Sequence, residues 1–153
     1  MFIRRVIEAL RNHEVDYAIV GGYAVALHGA VRGTVDVDLV IQVNQKVYQQ
    51  TEKAMKCIGL EPRLPVTAAD VFNFREEYIN NRNMIAWSFV NPQNLAEMVD
   101  IILTENLSDL QVVTKQAFGI DVQVLAFEDL IVMKQKSGRP QDLEDIKALE
   151  RLE

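Results

Sequence analysis

With 153 residues, 49% of them hydrophobic and 25% charged, the chain has the size and balance of an ordinary globular protein, and a single domain over residues 1–153 is expected. No apolar run approaches the roughly 20 residues that span a bilayer, and the N-terminal MFIRRVIEALRNHEVDYAIV has no small-residue cleavage site, which argues against membrane insertion or export and for the cytoplasm. The formal net charge of −6 speaks against backbone-driven nucleic-acid binding, which needs a basic surface. The lone Cys57 has no disulfide partner and no nearby His or second Cys for a metal, so it reads as core.

Phe2, Ile3, Val6, Ile7 and Leu10 share one helical face, after which Asp16–Val20 gives a short apolar strand that stops at Gly21-Gly22. Tyr23–His28 reads as a short helix of small residues, Gly29 and Gly33 punctuate a loop, and Val35–Val43 alternates as a strand. Asn44 is positioned to cap a helix over Gln45–Ile58 that Gly59 ends. Leu60–Asn83, with Pro62 and Pro65, is poorly periodic apart from a candidate short helix after Thr67. Met84–Val90 and Met98–Leu103 read as strands, Ser108–Phe118 as a helix and Ile120–Leu125 as a half-buried strand. Two helices finish the chain, one starting near Phe127. The other has Pro140 in its first turn and a stripe of Leu143, Ile146, Leu149 and Leu152.

Side chains alternate along a strand, so Asp36 and Asp38 point to one face and Val35, Val37 and Leu39 to the other. Two adjacent carboxylates are costly unless a proton or a cation relieves them, and such oxygen ligands suit Mg²⁺, which binds through one or two carboxylates plus substrate phosphates. Asp100 interrupts an otherwise apolar strand, where an unpaired carboxylate is expensive to bury, and the Asp pair is a candidate partner. Upstream, a strand running through Gly21-Gly22 into a helix lets backbone N–H groups approach a phosphate without a side chain in the way. Two metals about 3.5–4 Å apart on three carboxylates would activate an acceptor hydroxyl and orient a triphosphate for attack at its α-phosphorus. That chemistry is nucleotidyl transfer.

The string VGGYAVALHGAVRGTVDVDLVIQ, with Gly21-Gly22, Arg32, Thr34 and Asp36-Val37-Asp38, resembles the signature of the polymerase-β-like nucleotidyltransferase superfamily. The tail FEDLIVMKQKSGRPQDLEDIKAL is similar to that of its AbiEii-like branch. The resemblance implies an α/β (α+β) nucleotidyltransferase fold, a mixed β-sheet flanked by helices, with the C-terminal helices from about 127 packed on the core. It further implies a catalytic triad of Asp36, Asp38 and Asp100, which would also hold Mg²⁺, with Mn²⁺ as a substitute, and an NTP donor. Acceptors it suggests are a small hydroxylated molecule such as an antibiotic, or a protein or tRNA as in toxin–antitoxin systems. The Gly-Gly departs from the Gly-Ser of many members, which leaves Gly22 to act through its backbone.

Further residues carry two readings each. Gly21 and Gly22 are a phosphate cradle or only a turn; Arg32 and Thr34 touch phosphates or anchor the loop; Lys134 neutralises the triphosphate or is a solvated helix lysine. Arg139, Asp142 and Asp145 read as a cluster at a helix N-terminus, where the dipole favours acids. His28 reads as a packed or loop-bonded histidine and His13 as surface. Trp87, Phe72, Phe74 and Tyr78 either stack on a base or pack in the core or a lid. A noncatalytic nucleotide-binding or antitoxin-type interaction module is the competing function. Because the chain is short for the superfamily, a homodimer or a partner protein is a candidate source of an acceptor domain.

Overall fold

The apolar stripe of the first helix, α1 (Phe2–Asn12), buries Ile3, Val6, Ile7 and Leu10. A computed structural model of the protein, which describes residues 1–152, shows where that stripe and the later ones go. Strand β1 (Ala18–Val20), buried throughout, runs straight into α2 (Gly21–Leu27). After a loop come β2 (Val37–Val40) and α3 (Gln45–Cys57), whose N-terminus is capped by Asn44 Oδ1 accepting from the Val47 N–H at 3.1 Å. The middle of the chain holds β3 (Glu61–Pro62), α4 (Ala68–Asn73) and α5 (Arg75–Arg82). Thr67 and Asp70 form a reciprocal capping box at the start of α4. Then follow β4 (Ala86–Asn91), β5 (Asn94–Ile102), a 3₁₀ turn at Leu107–Asp109, β6 (Val112–Ala117), β7 (Ile120–Leu125), α6 (Phe127–Ser137) and α7 (Pro140–Glu150).

The strands form one seven-stranded mixed sheet in the order β3-β4-β5-β2-β1-β7-β6, flanked by helices, as expected. β2 runs antiparallel to β1 and parallel to β5, and β1 runs parallel to β7. One sheet face carries Val37, Leu39, Trp87, Phe89, Val99 and Ile101, all buried and continuous with Tyr48 and Met55 of α3. Tyr48, Trp87 and Phe89 pack ring against ring at centroid distances of 5.7 and 4.8 Å. Trp87 is therefore core, whereas Phe74 is half exposed. No helix among the described residues is long and apolar enough to cross a membrane.

Four sequence expectations are corrected. Ser108–Phe118 is not a helix: its β-branched Val112, Val113 and Thr114 pair with β7 across a two-residue turn in which Phe118 and Gly119 both have positive φ, 57° and 78°. The strand expected over Val35–Val43 is only Val37–Val40, because its neighbour β1 turns into a helix at Gly21 and leaves residues 35 and 36 nothing to pair with. Cys57 is exposed, lying on the side of α3 opposite the buried Tyr48, Thr51, Ala54 and Met55. Of the stripe expected on the last helix, Ile146 and Leu149 are buried, but Leu143 is about half exposed and Leu152, beyond the end of α7, is too; Asp142 and Asp145 complete the buried face.

Candidate active site

Asp38 on β2 and Asp100 on β5 are register partners on adjacent parallel strands, and the row continues to Val20 on one side and Ser88 on the other. Residues opposite one another in a sheet project to the same face, so the two carboxylates stand side by side. Ser88 Oγ donates a 2.5 Å hydrogen bond to Asp100 Oδ1, fixing that carboxylate from the outer side. Asp36 lies in a bend just before β2 and is exposed. It belongs to the loop, not the strand, so its proximity to the pair comes from the chain's entry into β2.

Burial, then the charges of Asp100 and Asp36, push the Asp38 carboxyl up to about 7 from an ordinary value of 3.8. Lys134 pulls it the other way, and less strongly. Asp36 is raised too, by burial first and by Asp100 second. Such a cluster accepts positive charge readily. Among the described residues, no three His, Cys, Asp or Glu side chains form a ready-made metal cage. An in-register pair with a third acid close by instead matches the donor chemistry of Mg²⁺, which completes its shell with water and phosphate oxygens.

Gly21 has φ +66°, and a Cβ at this position would lie 2.0 Å from Asp38 Oδ2. Both the backbone angle and the carboxylate's approach exclude a side chain. A Cβ on Gly22 would meet Thr34 Oγ1 at 2.7 Å, so the second glycine lets the loop before β2 close against α2. Thr34 Oγ1 donates to the Asp36 carbonyl at 3.4 Å, and Arg32 Nη1 donates to the Gly33 carbonyl.

Lys134 is no solvated lysine. Its side chain is buried and its ammonium sits 2.8 Å from Asp145 Oδ2 and 3.5 Å from Asp142 Oδ1, both acids being buried. Arg32 Nε donates to Asp145 Oδ1 at 2.8 Å, and Arg139 Nε donates to Asp142 Oδ2 at 2.9 Å. Burial alone would raise both acids, but hydrogen bonds from Arg139, Ser137 and the Arg139 backbone hold Asp142 well below its ordinary value. Those from Lys134, Arg32 and Gln141 do the same for Asp145. Through Arg32 and Asp145, α7 is thus tied to the loop that precedes the carboxylates. Two features of the sequence mark these contacts: Asp142 and Asp145 are spaced with Ile146 and Leu149 on one buried face, and Ser88 is the polar position in AWSFV.

His28 Nε2 bonds to the Leu125 carbonyl at 2.8 Å and its ring packs edge-on against Phe127, in keeping with the loop-bonded reading. A cleft of about 610 Å³ lies at the other end of β1 around Arg11, Tyr17, Asp121 and Gln123, and none of Asp36, Asp38 and Asp100 lines it.

Sheet order, helix placement and the carboxylate row together define a nucleotidyltransferase fold, and solved structures share it. ANT(2")-Ia in complex with adenylyl-2"-tobramycin superposes with a TM-score of 0.63 at 13% identity, over 96% of this chain and 84% of that one. The lincosamide antibiotic adenylyltransferase LnuA, lincomycin-bound, gives 0.64 at 13% identity over 97% and 94%. An antigenic nucleotidyltransferase-like protein from Paracoccidioides brasiliensis gives 0.57 at 21% identity over 98% and 75%. At these identities the likeness is one of fold. No curated protein matches the chain by sequence. A family described as nucleotidyltransferase of unknown function (DUF6036) matches residues 2–152, and the chain belongs to that family.

Proposed function

We propose that the protein transfers a nucleoside monophosphate from an NTP to an acceptor hydroxyl, with Asp36, Asp38 and Asp100 as its catalytic and metal-holding residues. The observation that carries this is the register pairing of Asp38 with Asp100 beside a glycine whose missing Cβ leaves room for a carboxylate. When bound to these three acids, Mg²⁺ or Mn²⁺ would neutralise the triphosphate and acidify the acceptor hydroxyl. The acceptor oxygen bonds to the α-phosphorus, the bond to the bridging oxygen breaks, and pyrophosphate leaves. Asp100, with one oxygen held by Ser88, offers the other to the hydroxyl proton.

In this reading Gly21 and Gly22 offer backbone N–H groups to phosphate oxygens at the end of β1. Arg32 and Thr34 shape the loop facing them, and Lys134, being buried, acts on the site through its field and its grip on α7. Within the superfamily, the tail around Lys134 and Asp142 supports a place in the AbiEii-like branch. The donor is ATP in this reading, and the protein works in the cytoplasm as a homodimer or with a partner protein. Calorimetry with ATP tests the metal requirement: binding should strengthen distinctly with Mg²⁺, and equal affinity in chelator would refute it. Incubation with α-labelled NTPs, Mg²⁺ and cell extract tests the transfer, since only a transferase moves label onto an acceptor.

A further inference from the structure

The row Val20–Asp38–Asp100–Ser88 crosses four strands and has two different ends. At the β1 end stand Gly21 and Gly22. At the β4 end, Ser88 lines a cavity of about 270 Å³ together with Arg63, Leu64, Met84, Ala86 and Trp87. Ser88 also holds Asp100, so the cavity wall and the carboxylate share a residue. We propose that this cavity is the acceptor subsite and that it takes a small hydroxylated compound bearing an anionic group, of the hydroxy-acid or sugar-phosphate kind. The proposal rests on the nucleotidyl-transfer reading and names the substrate class for it.

Three features select that class. The first is size: the space equals roughly nine water volumes and falls below the range of about 300 Å³ upward that suits drug-sized ligands. The second is charge. Arg63 is exposed, and no carboxylate among the described residues pairs with it. Its backbone N–H donates to the Ser88 carbonyl at 2.9 Å, which roots it in the cavity wall. The backbone is held there while the guanidinium stays free, and a free guanidinium favours carboxylate or phosphate and repels a polyamine. The third is polarity. Leu64, Met84 and Ala86 supply an apolar lining, while Ser88, whose Oγ lies on the Asp100 side of the sheet, supplies a hydroxyl. Asp100 does not itself line the cavity; Ser88, which does, is bonded to it, so the hydroxyl of a ligand lodged here would reach the carboxylate past Ser88.

Trp87 lines the cavity and is the chain's only tryptophan, so its indole N–H gives a single NMR signal from a residue adjoining it. Full-length ¹⁵N-labelled protein would be titrated with glycerol 3-phosphate, glycerate, glycerol and tobramycin, with Mg²⁺–ATP affinity measured calorimetrically on the same samples. Glycerol 3-phosphate and glycerate separate phosphate from carboxylate as the anion. The expected result is a saturable indole shift with at least one of them, glycerol at least about tenfold weaker, and no shift with tobramycin. Arg63→Glu, at an exposed position, should remove that preference and leave ATP affinity unchanged. Equal response to glycerol and the anions, a response to tobramycin, or indifference to Arg63→Glu overturns the assignment. Loss of the anion response with ATP binding intact sinks the cavity alone. Absent ATP binding with the response intact sinks the transfer reading, and the acceptor role with it.

Discussion

Replacing Asp38 by Asn should stabilise the metal-free protein at alkaline pH. With its carboxyl raised from 3.8 to about 7, Asp38 resists ionisation in the fold by up to about 4 kcal/mol. Between about pH 4 and 7 the folded chain holds a proton on Asp38 that the unfolded chain has already lost, so this contribution falls as pH rises through that window. Above pH 7 the full cost is present. Asn carries no charge and its amide can still donate to Asp100, so the variant should gain about 2–4 kcal/mol at pH 8, on the order of 5–15 °C in Tm for a chain of this size. Thermal unfolding followed by circular dichroism in chelator, at pH 5 and pH 8, reads the difference between the two proteins, in which titrating groups common to both cancel. The gain should shrink toward pH 5. A variant no more stable than the parent at pH 8, or equally favoured at both pH values, would refute the claim that Asp38 stands beside uncompensated charge.

Asp100→Asn should keep ATP affinity within a few-fold and lose turnover by at least about a hundredfold, because Asp100 is assigned to the acceptor hydroxyl; calorimetry beside single-turnover kinetics separates the two. Gly21→Ala forces a Cβ onto the Asp38 carboxylate at a positive φ and should lower both Tm and the metal-dependent gain in ATP binding, read by calorimetry on the folded fraction. Lys134→Met leaves Asp142 and Asp145 buried with one cation fewer and should cost about 3–5 kcal/mol. In the parent, both acids contribute stability above about pH 4 that is lost as pH falls through their depressed values, so the variant's acid-unfolding midpoint should move upward.

Elements whose burial follows one period were legible in the sequence. The α1 stripe, the Asn44 cap, Gly59 with φ +86°, and Ile120–Leu125 all stand where pattern and turn chemistry put them. Edge strand β6 was not legible: it pairs on one side only, and its exposed and part-buried residues do not alternate regularly, while Leu110, Val113 and Ala117 mimic a helical face. α5, with Arg75, Glu76 and Glu77 in its first turn and no buried residue, has no stripe to detect. At the site, Asp38 and Asp100 were readable as carboxylates lacking partners. Their register was not, because it depends on β5 reaching β2 from sixty residues away.

The fate of Lys134 carries the electrostatic argument one step further. An ammonium aimed at Asp38 would hold that carboxyl near its ordinary value and leave nothing for a metal to do. Instead Lys134 turns to Asp145 and Asp142, which also take Arg32 and Arg139. Two buried acids thereby engage Lys134, Arg32 and Arg139, and their own charges are what keep these cations from neutralising Asp38. The fold spends its internal positive charge on fastening α7 to the loop before β2, so relief for Asp38 must come from a proton at low pH or a cation at high pH. Adding Mg²⁺ at pH 8 should therefore raise the parent's Tm and leave that of Asp38→Asn nearly unmoved. A similar Mg²⁺ response in both would place the ion elsewhere.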